Sequence, residues 1–293
     1  METIRPLRKS ILLSGDKPTG YDEYLPESIT QSEYSSLMIF SHGFKGFASW
    51  GFIPYVCTEF AKAGIPSIAV NYSYNGILDE VNPLYDAEVF AANTVSLMLE
   101  ELNGLVNHIL SGGDRDLKLS EKAEITLAGH SLGAALSLIT AAERKDIDNL
   151  VLWGSVGTLD RNTTRQKQNW KEKGRIEFMA SRGGQELYQN YSYLEDKENN
   201  MDRLDLLQRA SEYAGDLLVL HGKADVTTRP KEGEALYNSA KQREGNHRTE
   251  IEILDKTGHT FNTFHPMQSP PPTQVTQSTQ IMLDFVLNSK PNK

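Results

Sequence analysis

The sequence alternates short apolar, β-branched runs with longer stretches of helical period. The apolar runs predict six strands, at 36–41, 66–72, 124–129, 150–154, 216–221 and 249–254. Helical periodicity between and after them predicts helices at 55–63, 86–109, 132–142, 231–242 and 275–288. This alternation is typical of an α/β protein whose mostly parallel central sheet is flanked by helices. Such a sheet places its ligand groups outside the carboxyl ends of its strands.

Two regions interrupt the alternation. Residues 1–34 are polar and turn-rich, and we expect an antiparallel hairpin at the edge of the sheet. Residues 157–212 are too many for a connection between strands, and their aromatic content is too high for a disordered linker. We therefore predict a helical cap at 157–212, inserted into a core domain formed by 1–156 and 213–293.

Composition excludes several classes of protein. The chain carries 39 acidic and 30 basic side chains, a formal charge of −9. Such a surface repels a phosphate backbone, so we expect no nucleic-acid partner. The longest apolar runs are strand-sized, well below the roughly 20 residues that cross a bilayer, so no membrane span is predicted. The N-terminal residues lack the features of a secretory signal, and we expect a cytoplasmic protein.

One cysteine, Cys57, lies in the predicted helix 55–63. A single cysteine cannot form an internal disulfide bond. We expect a buried thiol without a catalytic role, because no loop or partner histidine accompanies it in the sequence.

A serine motif follows the predicted strand 124–129 and begins the predicted helix 132–142. Gly129, Ser131 and Gly133 form G-x-S-x-G in the strand–turn–helix setting that this motif requires. The turn strains the serine backbone, and small residues on both sides let the strand and the helix approach. The serine hydroxyl then lies near a helix N-terminus, which favours the negative charge of acyl transfer.

An aspartate that could orient a histidine follows the predicted strand 216–221. Asp225 lies a few residues after this strand, in a loop that contains Gly222. There it could hold an imidazole in one tautomer and stabilise the imidazolium. Asp160, after the strand 150–154, is the alternative acid.

The candidate general base follows the predicted strand 249–254. His259 comes directly after Gly258, in a loop at the same sheet edge as Ser131. His265 is the alternative. Structural roles explain four other histidines, His42, His108, His221 and His247.

The order of these residues is more informative than any one of them. Ser131, Asp225 and His259 follow each other as Ser, Asp, His, the chain order of an α/β-hydrolase triad. The interval from Ser131 to Asp225 leaves room for a strand and the cap, and the interval from Asp225 to His259 fits one helix and one strand.

A glycine-containing loop follows the first predicted parallel strand, at 42–47. It can turn the N–H of Phe44 toward the serine, where it would form an oxyanion hole with the N–H of Leu132. The sequence contains no phosphate-binding loop, no dinucleotide fingerprint and no His-Glu-x-x-His metal pair, so we predict no cofactor and no metal.

On these motifs, the chain from about 36 to 288 resembles the α/β-hydrolase superfamily. It is similar to the dienelactone-hydrolase-like and serine-aminopeptidase-like esterases, which have an HG-x-x-G oxyanion loop and a GHS-x-G elbow. The resemblance implies Ser131 as nucleophile, His259 as base and then acid, Asp225 as its orienter, and no cofactor. One departure is Ala134, where many members have a second glycine.

The residues and the resemblance together predict a serine-dependent hydrolase that cleaves carboxylic esters of small to medium acyl or aryl substrates. A thioesterase or an aminopeptidase on the same triad is the alternative. An aminopeptidase needs an acidic group for the substrate's amino terminus, which Glu195, Asp196 or Glu198 could supply. A non-catalytic binding module is the most remote possibility.

The predicted cap carries a basic stretch at 161–182. It holds two acidic side chains, Glu172 and Glu177, and seven basic ones, Arg161, Arg165, Lys167, Lys171, Lys173, Arg175 and Arg182. The stretch could favour anionic substrates, or it could be a solvated helix face.

Overall fold

The computed structural model describes residues 4–13, 16–27, 33–179 and 184–288. Its strands are β1 Leu7–Ile11, β2 Thr19–Tyr24, β3 Tyr34–Ser41, β4 Ser67–Asn71, β5 Ile77–Asp79, β6 Leu84–Tyr85, β7 Leu119–His130, β8 Asn149–Trp153, β9 Arg175–Met179, β10 Glu186–Asn190, β11 Asp216–Gly222 and β12 Thr249–Leu254. Its helices are α1 Ile53–Lys62, α2 Ala87–Ala91, α3 Val95–Leu110, α4 Leu132–Ala142, α5 Thr164–Lys173, α6 Tyr191–Asn199, α7 Leu206–Glu212, α8 Pro230–Ala240 and α9 Thr273–Leu287.

Eight strands form the central sheet, in the order β1-β2-β4-β3-β7-β8-β11-β12. The six strands from β4 to β12 in this order run parallel, while β1 and β2 form an antiparallel hairpin at one edge. The predicted architecture, a mostly parallel sheet flanked by helices, is confirmed. The carboxyl ends of β3, β7, β8, β11 and β12 therefore meet at one edge of the sheet.

The core lies in two apolar layers, one on each face of the sheet. In β3, Leu37 and Ile39 pack into the layer that contains α3 and α4, while Met38 and Phe40 pack into the layer with α1 and α9. This alternation follows from the two-residue period of a strand. Cys57 lies fully buried in the second layer, as the sequence predicted.

The helix predicted at 86–109 is in fact two helices, α2 and α3. Thr94 has an extended backbone, and its hydroxyl accepts a hydrogen bond from the N–H of Leu97, so it caps α3. Asp86 caps α2 in the same way. Hydroxyl and carboxylate side chains offer backbone N–H groups partners outside the helix, and for this reason they favour helix starts over interiors.

The described residues of 157–212 form three helices, α5, α6 and α7, and also an antiparallel hairpin of β9 and β10. The sequence predicts a mostly helical segment here and does not predict the hairpin. Strand β10 packs against α2, and α7 packs between α4 and α8. Arg182, the last member of the predicted basic stretch, lies outside the described residues.

In the described part of the chain, no helix combines the length and the apolar character needed to span a membrane.

Candidate active site

Ser131 lies at the sharp turn between β7 and α4. Its backbone has φ 56° and ψ −118°, a conformation that L-residues rarely adopt and that stores strain. Its N–H donates to the carbonyl of Trp153 at 3.0 Å, which ties the turn to the end of β8. The turn therefore holds the hydroxyl above the carboxyl edge of the sheet and at the N-terminus of α4.

The two glycines of the motif are required by close backbone approach. A Cβ on Gly133 would lie 2.2 Å from the carbonyl oxygen of Ser41 and 2.4 Å from that of His42. A Cβ on Gly129 would lie 2.4 Å from the carbonyl oxygen of Gly133. No side chain fits at these separations, so the elbow can form only with glycine at both positions.

The structure brings Ser131, His259 and Asp225 together. His259 Nε2 lies 3.1 Å from Ser131 Oγ, and His259 Nδ1 lies 2.7 Å from Asp225 Oδ2. Both separations are within hydrogen-bonding range. The imidazole can thus donate its Nδ1–H to the carboxylate and accept the serine proton at Nε2.

Asp225 is buried and fully hydrogen-bonded. Its Oδ1 accepts the N–H groups of Thr227 and Thr228 at 2.8 and 2.9 Å, and its Oδ2 accepts the Thr228 hydroxyl at 2.8 Å. Burial raises the pKa of this carboxyl, but the hydrogen bond and charge of His259, together with the Thr228 donors, outweigh it and hold the pKa at about 2. The carboxylate therefore remains ionised beside the imidazole.

Thr228 was missed by sequence reasoning. Its hydroxyl lies 3.0 Å from His259 Nδ1 and 3.1 Å from the carbonyl of Gly154, as well as beside Asp225. An aspartate followed by threonines is a common signal for a side-chain-capped turn, so the local part of this contact could have been inferred. The contact between Thr228 and His259 could not have been inferred, because it joins residues 31 positions apart in the chain.

Three further histidines surround the site. His130 Nε2 donates to the carbonyl of His259 at 2.9 Å. His221 Nε2 donates to the carbonyl of Thr228 at 2.8 Å and so braces the Asp225 loop, as the sequence suggested. His42 Nδ1 donates to the carbonyl of Gly43 at 2.9 Å within the 42–47 loop.

The alternative acid, Asp160, and the alternative base, His265, contact other residues. Asp160 is exposed and pairs with Lys167 at 2.8 Å. His265 Nδ1 accepts the N–H of Gly51 at 3.0 Å, and its Nε2 donates to the carbonyl of Glu80. Neither is hydrogen-bonded to the serine–histidine pair.

A cavity of about 160 Å³ opens over Ser131. Phe44 lines it, Trp50 and His130 form part of its wall, and Leu132 follows Ser131 as the first residue of α4. The N–H groups of Phe44 and Leu132 donate to no acceptor within the described residues. Two unpaired donors beside the Ser131 hydroxyl are suited to bind a developing oxyanion.

The described charged residues of 157–212 do not line the cavity over Ser131. Arg161 pairs with Glu232, Lys167 with Asp160 and Arg175 with Glu177. None of the six described basic side chains of the stretch lines the cavity over Ser131. Asp196 accepts hydrogen bonds from the backbone and hydroxyl of Ser96, and Glu198 lies 3.8 Å from Lys167.

Solved structures with this fold include hydrolases from several organisms. The esterase Est1E from Butyrivibrio proteoclasticus is 16% identical with a TM-score of 0.66, covering 95% of this chain and 97% of its own. The thermophilic esterase Est2 from Thermogutta terrifontis is 16% identical with a TM-score of 0.68, covering 98% and 95%. The acylaminoacyl peptidase from Pyrococcus horikoshii is 14% identical with a TM-score of 0.66, and it matches all of this chain over 43% of its own length. These likenesses establish the α/β-hydrolase fold.

Sequence comparison is more specific over the C-terminal part of the chain. No curated protein matches the sequence. The model of the prolyl oligopeptidase family matches residues 115–289, more than half of the 293 residues. This range contains the serine elbow as well as the loops of Asp225 and His259. The chain therefore belongs to the prolyl oligopeptidase family.

Proposed function

We propose that this protein is a serine hydrolase that cleaves carboxylic esters of small to medium acyl or aryl substrates. One observation carries the proposal. Ser131, His259 and Asp225 form a continuous hydrogen-bonded chain, with distances of 3.1 and 2.7 Å, at the base of a cavity. The strained backbone of Ser131 supports it, because strain of this kind clusters at functional positions.

In the proposed mechanism, Ser131 Oγ attacks the ester carbonyl while His259 Nε2 takes its proton. Asp225 stabilises the imidazolium that forms. His259 then gives the proton to the departing alkoxide, which leaves as the alcohol and produces an acyl-enzyme. A water molecule, deprotonated by His259, attacks the acyl group, and the carboxylic acid leaves as Ser131 regains its proton.

The N–H groups of Phe44 and Leu132 are the proposed oxyanion hole. Leu132 is the first residue of α4. The positive end of the helix dipole would therefore reinforce the hydrogen bond that the Leu132 N–H donates to the oxyanion. The loss of one such donor costs about 2.7–4 kcal/mol of transition-state stabilisation in comparable sites.

The cavity favours esters over substrates with a free amino terminus. The described residues that line it include no acidic side chain. Asp196 and Glu198, which could bind an amino group in an aminopeptidase, interact with Ser96 and Lys167 instead. Membership in a peptidase-containing family keeps peptide-bond cleavage as the second candidate.

We propose that the 157–212 segment acts as a cap over the substrate site. The ring centre of Phe178, in the β9–β10 hairpin, lies 5.3 Å from the ring centre of Phe44. This segment therefore reaches the wall of the cavity.

The first test is reaction with a fluorophosphonate, read by intact mass and peptide mapping. We expect one adduct on Ser131, its loss in Ser131→Ala, and its retention in Ser211→Ala, a matched change at an exposed serine. Unlabelled protein would then be assayed on esters, thioesters and amino-acid anilides. Faster cleavage of anilides than of esters would favour the peptidase. A folded protein without an adduct would contradict the catalytic assignment and favour a binding module.

A further inference from the structure

Lys45 lies in the wall of the cavity that contains Ser131. It follows Phe44 in the oxyanion loop, and its backbone adopts φ 59°. The hydroxyl of Tyr85 donates to the Lys45 carbonyl at 2.7 Å and so fixes this part of the loop. The position of the side chain is therefore set by the same loop that presents the Phe44 N–H.

The Lys45 ammonium is held mainly by apolar groups. It lies 3.4 Å from the carbonyl oxygen of Met179 and 5.9 and 5.7 Å from the ring centres of Phe44 and Phe178. The side chain is half-buried, and in the described chain no carboxylate lies within ion-pair distance of it. Burial lowers the pKa of Lys45, with no acidic neighbour to offset it. An ammonium in this position lacks the partner that a partly desolvated charge requires.

Other cations near the 157–212 segment differ in this respect. Arg161, Lys167 and Arg175 each pair with a carboxylate and lie outside the cavity. The basic stretch at 161–182 is therefore partly neutralised, while Lys45, a cation without an ion-pair partner among the described residues, lies in the wall of the cavity that contains Ser131.

We propose that Lys45 is a specificity residue that binds an anionic group, such as a carboxylate, on the acyl or the alcohol portion of the ester. This inference rests on the proposed esterase function and names the substrate class of the same site. A substrate carboxylate would supply the missing counter-charge in surroundings where screening by water is reduced.

The size of the cavity limits the substrate. A cavity of roughly 150 Å³ holds one benzene ring, and this one measures about 160 Å³. We therefore expect a short dicarboxylate monoester or the ester of a single-ring carboxylated phenol, both of which place an anion near the reacting carbonyl.

The experiment compares matched esters that differ in charge. The acyl-side pair is the para-nitrophenyl monoester of glutarate and para-nitrophenyl hexanoate. The alcohol-side pair is para-acetoxybenzoate and para-tolyl acetate. The quantity compared is the ratio of kcat/KM for the anionic ester to that for the neutral ester, after subtraction of spontaneous hydrolysis.

We expect wild-type protein to favour the anionic member of at least one pair at low salt, and less so at high salt. Lys45→Met should lower that ratio about tenfold, which corresponds to ~1.4 kcal/mol. Lys45→Arg should restore most of it, because the charge returns. Lys173→Met, a matched change at an exposed lysine of α5, should leave the ratio as in wild type.

A purely structural role for Lys45 predicts a different result. Loss of its contacts to Phe178 and Met179 would slow both esters in parallel, so a ratio within about twofold of wild type in Lys45→Met would overturn the proposal. Failure of the esterase assignment itself is distinguishable. In that case wild-type protein would hydrolyse none of the four esters. Fluorophosphonate labelling of Ser131 would then separate a serine hydrolase that acts on other substrates, which is labelled, from a binding module, which is not.

Discussion

His130 Nε2 donates a hydrogen bond of 2.9 Å to the main-chain carbonyl of His259. The residue before Ser131, the proposed nucleophile, thus holds the loop that carries the proposed base. The His130 ring lies parallel to Trp50 and edge-on to Phe52, which fixes its orientation. Burial, with a smaller contribution from the charge of His259, lowers the pKa of His130 to about 3, so the ring is neutral at pH 7 and carries its proton on the donating nitrogen.

His130→Phe tests this positioning role. The phenyl ring keeps most of the packing but donates no hydrogen bond to His259. We expect kcat for an ester to fall by about tenfold to a hundredfold, because small displacements of a reacting group have effects of this size. Steady-state kinetics and the rate of fluorophosphonate labelling would measure it. His247→Phe, outside the cavity, is the control, and an unchanged rate in His130→Phe would contradict the role.

Strain at Ser131 predicts an unusual order of stability. Glycine tolerates φ 56° and ψ −118° far better than alanine does. Both Ser131→Gly and Ser131→Ala should be inactive, and Ser131→Gly should be about 1 kcal/mol more stable than Ser131→Ala. Urea denaturation of the two variants gives the difference. If Ser131→Ala equals or exceeds Ser131→Gly in stability, the elbow stores no strain at this residue.

Two neighbouring substitutions at the start of α4 should differ in their effect on activity, one abolishing it and the other leaving it in place. Gly133→Ala places a Cβ 2.2 Å from the carbonyl of Ser41, and we expect about 3 kcal/mol lower stability and loss of labelling at Ser131. Ala134→Gly creates no such contact, and we expect a cost of about 1 kcal/mol from helix propensity with activity retained. Denaturation curves and labelling would check both. Comparable activity in the two variants would show that the elbow accommodates a side chain at 133.

The buried histidines predict how stability depends on pH. Burial lowers the pKa of His42 to about 4 and that of His130 to about 3, from an ordinary value of 6.5. Protonation therefore favours the unfolded chain: this contribution to stability is complete above pH 6.5 and is lost as the pH falls toward 4 and then 3. Each group contributes a slope of at most about 1.4 kcal/mol per pH unit.

Urea denaturation between about pH 7.5 and about pH 5 would measure this slope. The His130→Phe variant should show a shallower decline than wild type, because one of the two groups is gone. An identical decline in both proteins would mean that His130 takes up no proton on unfolding in this range.

The sequence predicts those parts of the candidate site that depend on local pattern. The prediction of Ser131 as nucleophile rests on its flanking glycines and the change from strand to helix, which are adjacent in the chain. The predictions of Asp225 and His259 rest on the order of the strands, which fixes the loops that meet at one sheet edge. The break before α3 was missed although Thr94 carries a capping side chain, since the apolar period continues across it.

Other features could not have been read from local pattern. The bonds of His130 to His259 and of Thr228 to His259 join residues far apart in the chain. The β9–β10 hairpin forms against α2, and its strands lack the continuous apolar runs of central strands such as β8 and β11. The proposed role of Lys45 follows only from the aromatic rings and the cavity that surround it in the structure, and its sequence neighbours do not indicate it.

The hairpin of 157–212 also limits how this protein could be re-engineered. The amide of Gln185 bonds both the N–H and the carbonyl of Tyr85, and Tyr85 in turn holds the carbonyl of Lys45. Phe90 completes the junction by packing on Phe44. The 157–212 segment therefore cannot be exchanged on its own. Replacing it with the corresponding segment of another hydrolase would also require redesign of Tyr85 and Phe90.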